Sequence, residues 1–172
     1  MRRLRIDPSQ YNDDSSEENL MITEARNKLF KVKRIENRNL YGDENTRGEH
    51  LVLTVGINPR NNVVATTTIT SLEDAERNPT KQGQLNRGLI MELPEDKISN
   101  FSRKVGIQQT VITQNMATGN NINYSMLREP LYGATVDEAL IDEVDSFLFD
   151  NPRHRRRSNI NNARVRGYEK IK

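Results

Sequence analysis

The sequence predicts a mainly β protein of the α+β class, with a small antiparallel sheet or sandwich core over about residues 50–114. Apolar side chains recur at every second position from Leu51 to Ile57, and a β-branched run follows from Val63 to Thr70. Both patterns are typical of strands. The short connection between them, residues 58–62, is rich in Asn and contains Pro, which favours a β-hairpin. One or two flanking helices and extended terminal arms complete the predicted fold.

Composition sets the size of that core. Of the 172 residues, 34% are hydrophobic, and none is Cys. The mean hydropathy is −0.83. Ordering backbone costs roughly 1–2 kcal/mol per residue, so a chain this polar is expected to bury a modest core and to gain further burial from a partner surface. The lack of Cys excludes disulfides and thiolate metal sites.

The N-terminal third allows two interpretations. Residues 1–22 are predicted to be a flexible arm, because they are polar and carry a net charge of −5 over residues 7–20. Apolar periodicity then favours a helix from Thr23 to about Arg38. The alternative is a strand over 29–35, in which Phe30 and Val32 point inward and Lys31 and Lys33 outward.

Beyond the hairpin the apolar pattern is weaker. We predict a polar connection over residues 74–88, a third strand over 89–93, and a short helix that begins at Pro94. A fourth strand is predicted over 105–114, with Gln108 and Gln109 forming a bulge. An Asn- and Gly-rich loop follows.

The clearest predicted helix is amphipathic and covers about residues 135–150. Thr135 and Glu138 have the spacing of a capping box, and Asn151-Pro152 would end the helix. Its apolar stripe is Val136, Leu140, Val144 and Leu148. Its acidic face, which includes Glu138, Asp142 and Asp145, is interpreted as the solvated side rather than a metal site. Residues 23–150 are therefore predicted to be a single small β-rich domain.

Residues 151–172 are predicted to be a basic tail with a net charge of +7, directly after a segment, 131–150, of −6. The residues predicted to contact a partner or phosphate are Arg153, Arg155, Arg156, Arg157, Arg164, Arg166, Lys170 and Lys172. Such a tail would bind nucleic acid, an acidic protein surface, or the acidic helix of a neighbouring copy. Aromatic residues for base stacking are nearly absent, which argues against sequence-specific recognition of single strands.

No motif predicts catalysis, a cofactor or a metal. The two histidines, His50 and His154, occur in unlike contexts. The spacing of Asp74, Glu95 and Lys97 resembles that of metal-dependent nucleases, but those enzymes hold the three residues on adjacent strands. Here a loop and a helix start are predicted instead, so we assign no catalytic or metal-binding residue.

The expected function is that of a non-enzymatic structural or assembly component of a larger macromolecular particle, docking through its terminal arms. Its partners would be protein subunits, including other copies of itself. The alternative is a nucleic-acid-binding accessory protein that uses the basic tail. Asn occurs 20 times and Trp never, a bias common in A- and T-rich coding regions such as those of many phages, so a virus particle is one candidate assembly. With neither a signal peptide nor a membrane span predicted, we expect a location inside a cell or within an assembled particle.

Overall fold

The computed structural model describes residues 20, 21, 23–98, 103–130 and 134–150. Within them, six strands form one antiparallel sheet in the order β4-β5-β3-β2-β1-β6. The strands are β1 (Lys31–Glu36), β2 (Glu49–Ile57), β3 (Val64–Ser71), β4 (Ile90–Leu93), β5 (Val105–Gln108) and β6 (Ala134–Thr135). A mixed α+β fold in which strands dominate is confirmed. The sheet is single and wider than the predicted 50–114 core.

Four helices accompany the sheet in the described part of the chain. They are α1 (residues 20, 21 and 23–27), α2 (Asn37–Leu40), α3 (Pro79–Asn86) and α4 (Glu138–Asp145). A π-helical turn, Ser146–Asp150, continues α4. Three 3-10 turns lie at Ala75–Arg77, Glu95–Lys97 and Tyr124–Met126.

The predicted hairpin is confirmed. β2 and β3 pair antiparallel, with Leu53 opposite Thr67, and the register shifts between Thr54 and Gly56 as in a β-bulge. Asn62 closes the turn at a φ of 59°, a left-handed conformation that Asn tolerates better than most residues. The residues of the turn itself therefore favour the antiparallel pairing of β2 and β3, the two longest strands.

The sheet is curled, and the chain segments that follow its two edge strands meet. Ile98, five residues after β4, bridges Val136, one residue after β6. The Asp137 N–H also donates to the Lys97 carbonyl at 2.6 Å. At the other end of α4, Gln109 Nε2 donates to the Phe147 carbonyl at 3.1 Å. Helix α4 thus extends from the meeting point of the two edges to the end of β5.

Both faces of the hairpin are buried, whereas one buried face was predicted. Every residue from Val52 to Ile57 is buried. On one side Thr54 Oγ1 donates to the Lys28 carbonyl at 2.6 Å, so the α1–β1 connection covers it. Because both faces are covered, the strand alternation in the sequence does not mark an exposed side here.

The favoured helix over residues 23–38 is wrong, and the strand alternative is correct in outline. α1 ends at residue 27, and β1 pairs with β2 through contacts such as Val32 opposite Leu53. Pairing on both edges of β1 outweighs the helical periodicity. The outward position predicted for Lys33 is also wrong, because its residue exposure is only 5%.

Several smaller expectations are corrected. The polar connection contains α3, which Asn78 caps by accepting from the Lys81 N–H at 3.2 Å. The helix expected at Pro94 is only a 3-10 turn, and regular β5 pairing ends at Gln108. At α4 the cap is Asp137, which accepts from the Ala139 N–H at 2.8 Å, because the capping-box residue Thr135 pairs within the sheet.

Candidate binding groove and docking elements

The predicted helix stripe lies inside the chain's own core. Val136, Leu140, Val144 and Leu148 are buried and belong to one hydrophobic cluster. That cluster also contains strand residues such as Val32 and Ile107. The surface on which α4 packs is therefore its own domain.

The opposite side of α4 carries most of its acidic residues. Asp137, Glu138, Asp142 and Glu143 are exposed, whereas Asp145 has an exposure of 6%. Including Asp145 in the solvated face was therefore wrong; it lies where α4 gives way to the π-helical turn. Among the described residues, no group of three His, Asp or Glu side chains is placed to hold a metal ion.

The predicted contact residues of the tail lie outside the described residues. This holds for all eight, namely Arg153, Arg155, Arg156, Arg157, Arg164, Arg166, Lys170 and Lys172, and for His154. Of the predicted N-terminal arm over residues 1–22, residues 1–19 and 22 are outside them as well, whereas residues 20 and 21 lie in α1. Their roles stay predictions.

A depression that was not predicted lies between α2 with the loop that follows it and the loop around Asn115. We call it the asparagine groove; its volume is about 630 Å³. It is lined by Arg38, Asn39, Gly42, Asp43, Glu44, Asn45, Asn115, Thr118, Asn120, Asn121 and Met126. Five of its 11 lining residues are Asn, against 20 of 172 in the chain. The fraction of Asn is therefore higher in the groove than in the sequence as a whole.

Asn115 joins the two loops of the groove. Its Nδ2 donates to the carbonyls of Arg38 and Gly42, at 2.7 and 2.9 Å. Its Oδ1 accepts from the N–H groups of Ala117 and Thr118, at 2.9 and 3.3 Å. The side chain is thereby satisfied on both sides, and the walls of the groove are held at a fixed separation.

Gly42 lets one wall fold tightly. A Cβ at this position would lie 2.0 Å from Thr46 Oγ1. That hydroxyl accepts from the Asp43 N–H at 3.1 Å and so closes the turn. A residue larger than Gly would have to displace the Thr46 side chain.

Three amide side chains of the groove have no hydrogen-bond partner among the described residues. They belong to Asn39, Asn45 and Asn120, the last two of which are exposed. Each amide offers two donors and one acceptor. The groove therefore presents several unused donors and acceptors on a rigid frame.

The charge of the groove is slightly negative. Its one cation, Arg38, donates from Nε to Glu36, whereas Asp43 and Glu44 contribute two carboxylates. A second depression, of about 570 Å³, shares Arg38, Glu44 and Asn45 with it. The polar surface is thus longer than one cavity.

Beside this second depression, ion pairs tie β1 to the segment around Arg128. Arg128 contacts Glu36 at 3.0 Å and Glu49 at 3.7 Å, and Arg34 contacts Glu49 at 3.4 Å. The backbone of Arg34 also exchanges two hydrogen bonds of 2.8 Å with that of Arg128. These charges serve the fold at this edge of β1.

In the described structure, no hydrogen bond or ion pair joins Asp74 to Glu95 or Lys97, the residues considered for catalysis. Asp74 Oδ1 accepts from Lys81 Nζ at 2.7 Å, and this hydrogen bond lowers the pKa of Asp74. Glu95 and Lys97 lie in a 3-10 turn rather than on a strand. His50 is half-buried, and burial lowers its pKa.

Comparison of the chain with protein-family models, curated proteins and solved structures yields no significant match. In the described part of the chain, no helix has the length and apolar character needed to cross a membrane.

Proposed function

We propose that this protein is a non-enzymatic assembly component of a larger particle, in which the curled sheet is a scaffold and the terminal segments dock onto protein subunits. The observation that carries the proposal is the internal use of the α4 stripe. Leu140, Val144 and Leu148 are buried in the domain's own core, so this stripe does not bind a partner. The charged sequence on either side of the domain would then make the contacts with other molecules.

Charge patterning supports the same proposal. The exposed face of α4 carries Asp137, Glu138, Asp142 and Glu143, and the sequence turns strongly basic from Arg153 onward. Adjacent blocks of opposite sign suit copies that meet through complementary surfaces, and such contacts accelerate association.

The test compares the full chain with three variants: a deletion of residues 153–172, an Arg→Gln replacement at 153, 155, 156 and 157, and a matched Arg→Lys replacement at the same positions. We expect circular dichroism and unfolding midpoints to be unchanged. Recovery of the protein in the particle fraction of a density gradient should be lost on deletion, reduced by Gln and largely kept by Lys. Full occupancy of the deletion variant in the particle would overturn the proposal.

Salt and nuclease separate the proposed role from nucleic-acid binding, the alternative that the basic tail favours. With a nucleic-acid partner, the logarithm of the binding constant should fall with the logarithm of the salt concentration, with a slope of about −0.9 for each phosphate neutralised. Nuclease should then release the protein. A protein partner would leave assembly insensitive to nuclease. Release by nuclease would therefore replace the proposed function with the alternative.

A further inference from the structure

We propose that the asparagine groove is a binding site for a neutral polyhydroxylated ligand, namely an uncharged sugar chain. None of the residues that line it belongs to the terminal segments, so the proposal can be tested independently of the assembly role. Three properties of the groove lead to this ligand class: unused amides, a rigid frame and a small excess of carboxylates.

The amides match hydroxyl groups. A sugar hydroxyl donates one hydrogen bond and accepts others, and an Asn amide both donates and accepts. Asn39, Asn45 and Asn120 offer such groups, and none of them is used within the described structure. Glu44 and Thr118 add further polar atoms to the lining.

The frame is built before a ligand arrives. Besides the four hydrogen bonds of Asn115, the Met116 N–H donates to the Leu40 carbonyl at 2.9 Å, and the Asn115 N–H to that of Asn120 at 2.7 Å. A ligand therefore does not have to order these loops on binding, which reduces the entropy lost in association.

The charges select against anions and against nucleic acid. Asp43 and Glu44 line the groove, and Arg38 is engaged by Glu36. A phosphate or sulfate would meet two carboxylates, and the single Arg among the lining residues is paired through its Nε with Glu36. Added peptide strands bind through open strand edges, whereas this groove is walled by loop side chains. A neutral polyol satisfies these constraints.

The experiment probes the full chain with an immobilised array of neutral, sulfated and sialylated oligosaccharides. We expect retention of neutral members and none of sulfated ones. The best neutral oligosaccharide is then titrated, by NMR, against the wild type and an Asn45→Ala/Asn120→Ala double variant. Each lost hydrogen bond should weaken binding about 2- to 12-fold, so the double variant should bind at least about fourfold more weakly than the wild type.

Two further variants guard the interpretation. Asn86→Ala removes an exposed amide at the end of α3, outside the groove, and should bind as the wild type does. Asn45→Asp keeps the shape but replaces the two donors by a second acceptor and adds a negative charge, and should weaken binding while leaving the unfolding midpoint unchanged. The proposal is overturned if no neutral oligosaccharide binds at millimolar concentration, if sulfated members are preferred, or if the double variant and Asn86→Ala bind alike.

Discussion

Lys33 and Glu129 form an ion pair with one buried partner and one exposed partner. The side-chain exposures are 6% for Lys33 and 64% for Glu129. The Lys33 ammonium also lies 5.2 Å from the centre of the Tyr124 ring, a cation–π distance. Burial by itself lowers the pKa of Lys33, but hydrogen bonds to Glu129 and Tyr124 outweigh it, and the pKa is raised above 10.5.

The asymmetry of this pair predicts unequal costs of mutation. Glu129→Gln should destabilise the protein by about 1–2 kcal/mol, since it leaves a buried ammonium without its carboxylate. Lys33→Met should stay within about 1 kcal/mol of the wild type, because a buried apolar chain replaces the charge and Glu129 is solvated. Urea unfolding at neutral pH measures both. Lys33→Met costing more than Glu129→Gln would contradict the prediction.

A second prediction concerns His50, whose half-buried ring meets Tyr41 edge to face at 6.3 Å. Burial lowers its pKa below the ordinary 6.5. As the pH falls below 6.5, the unfolded chain therefore binds a proton that the folded chain still resists. The free energy of unfolding should fall over this range until the pH passes the folded-state pKa.

Unfolding of the wild type and of His50→Gln as a function of pH tests this. The variant should lose the part of the pH dependence that begins near 6.5, while His154→Gln, which changes the other histidine of the chain, should retain it. Identical slopes for all three proteins would show that His50 does not contribute.

A third prediction concerns Asn115. Replacing it with Ala should cost about 2–3 kcal/mol, because the buried carbonyl of Gly42 and the partly buried carbonyl of Arg38 lose their donor. Asn120→Ala, in the same groove but exposed, should stay within about 0.5 kcal/mol. Chemical denaturation compares the two. Similar costs would show that Asn115 does not fix the loops.

The sequence could predict the hairpin but not everything around it. The alternation of apolar residues from Leu51 to Ile57 is a local property of the sequence, and the short Asn-rich segment after it favours a hairpin turn. β1 was harder, because residues 31–36 carry a helical pattern as well and become a strand only through pairing with β2 and β6. The secondary structure of such a segment depends on strands that are distant in the sequence. The same holds for Thr135, which the sheet removes from its capping box.

The candidate groove was invisible in the sequence for a related reason. Asn39 and Asn45 precede Asn120 by 81 and 75 residues along the chain. The two segments are joined by the bonds of Asn115 to the Arg38 and Gly42 carbonyls and by that of Met116 to the Leu40 carbonyl. Asn is also common in turns, so a high frequency of Asn predicts loops and does not by itself predict a binding site. A concentration of Asn in two separate loops was the available signal.

The last prediction tests whether α4 and the π-helical turn that continues it, which contains Leu148, pack on the domain rather than on a partner. Leu148 has an exposure of 0% in the main cluster, so Leu148→Ala should cost about 2–5 kcal/mol through lost burial and a residual cavity. Glu143→Ala, on the exposed face of the same helix, should change stability by less than about 0.5 kcal/mol. Thermal and urea unfolding of the isolated full chain measure both. Because these measurements involve no partner, a cost below about 1 kcal/mol for Leu148→Ala would mean that α4 is not packed on its own domain in solution, and the argument that its stripe is used internally would fail.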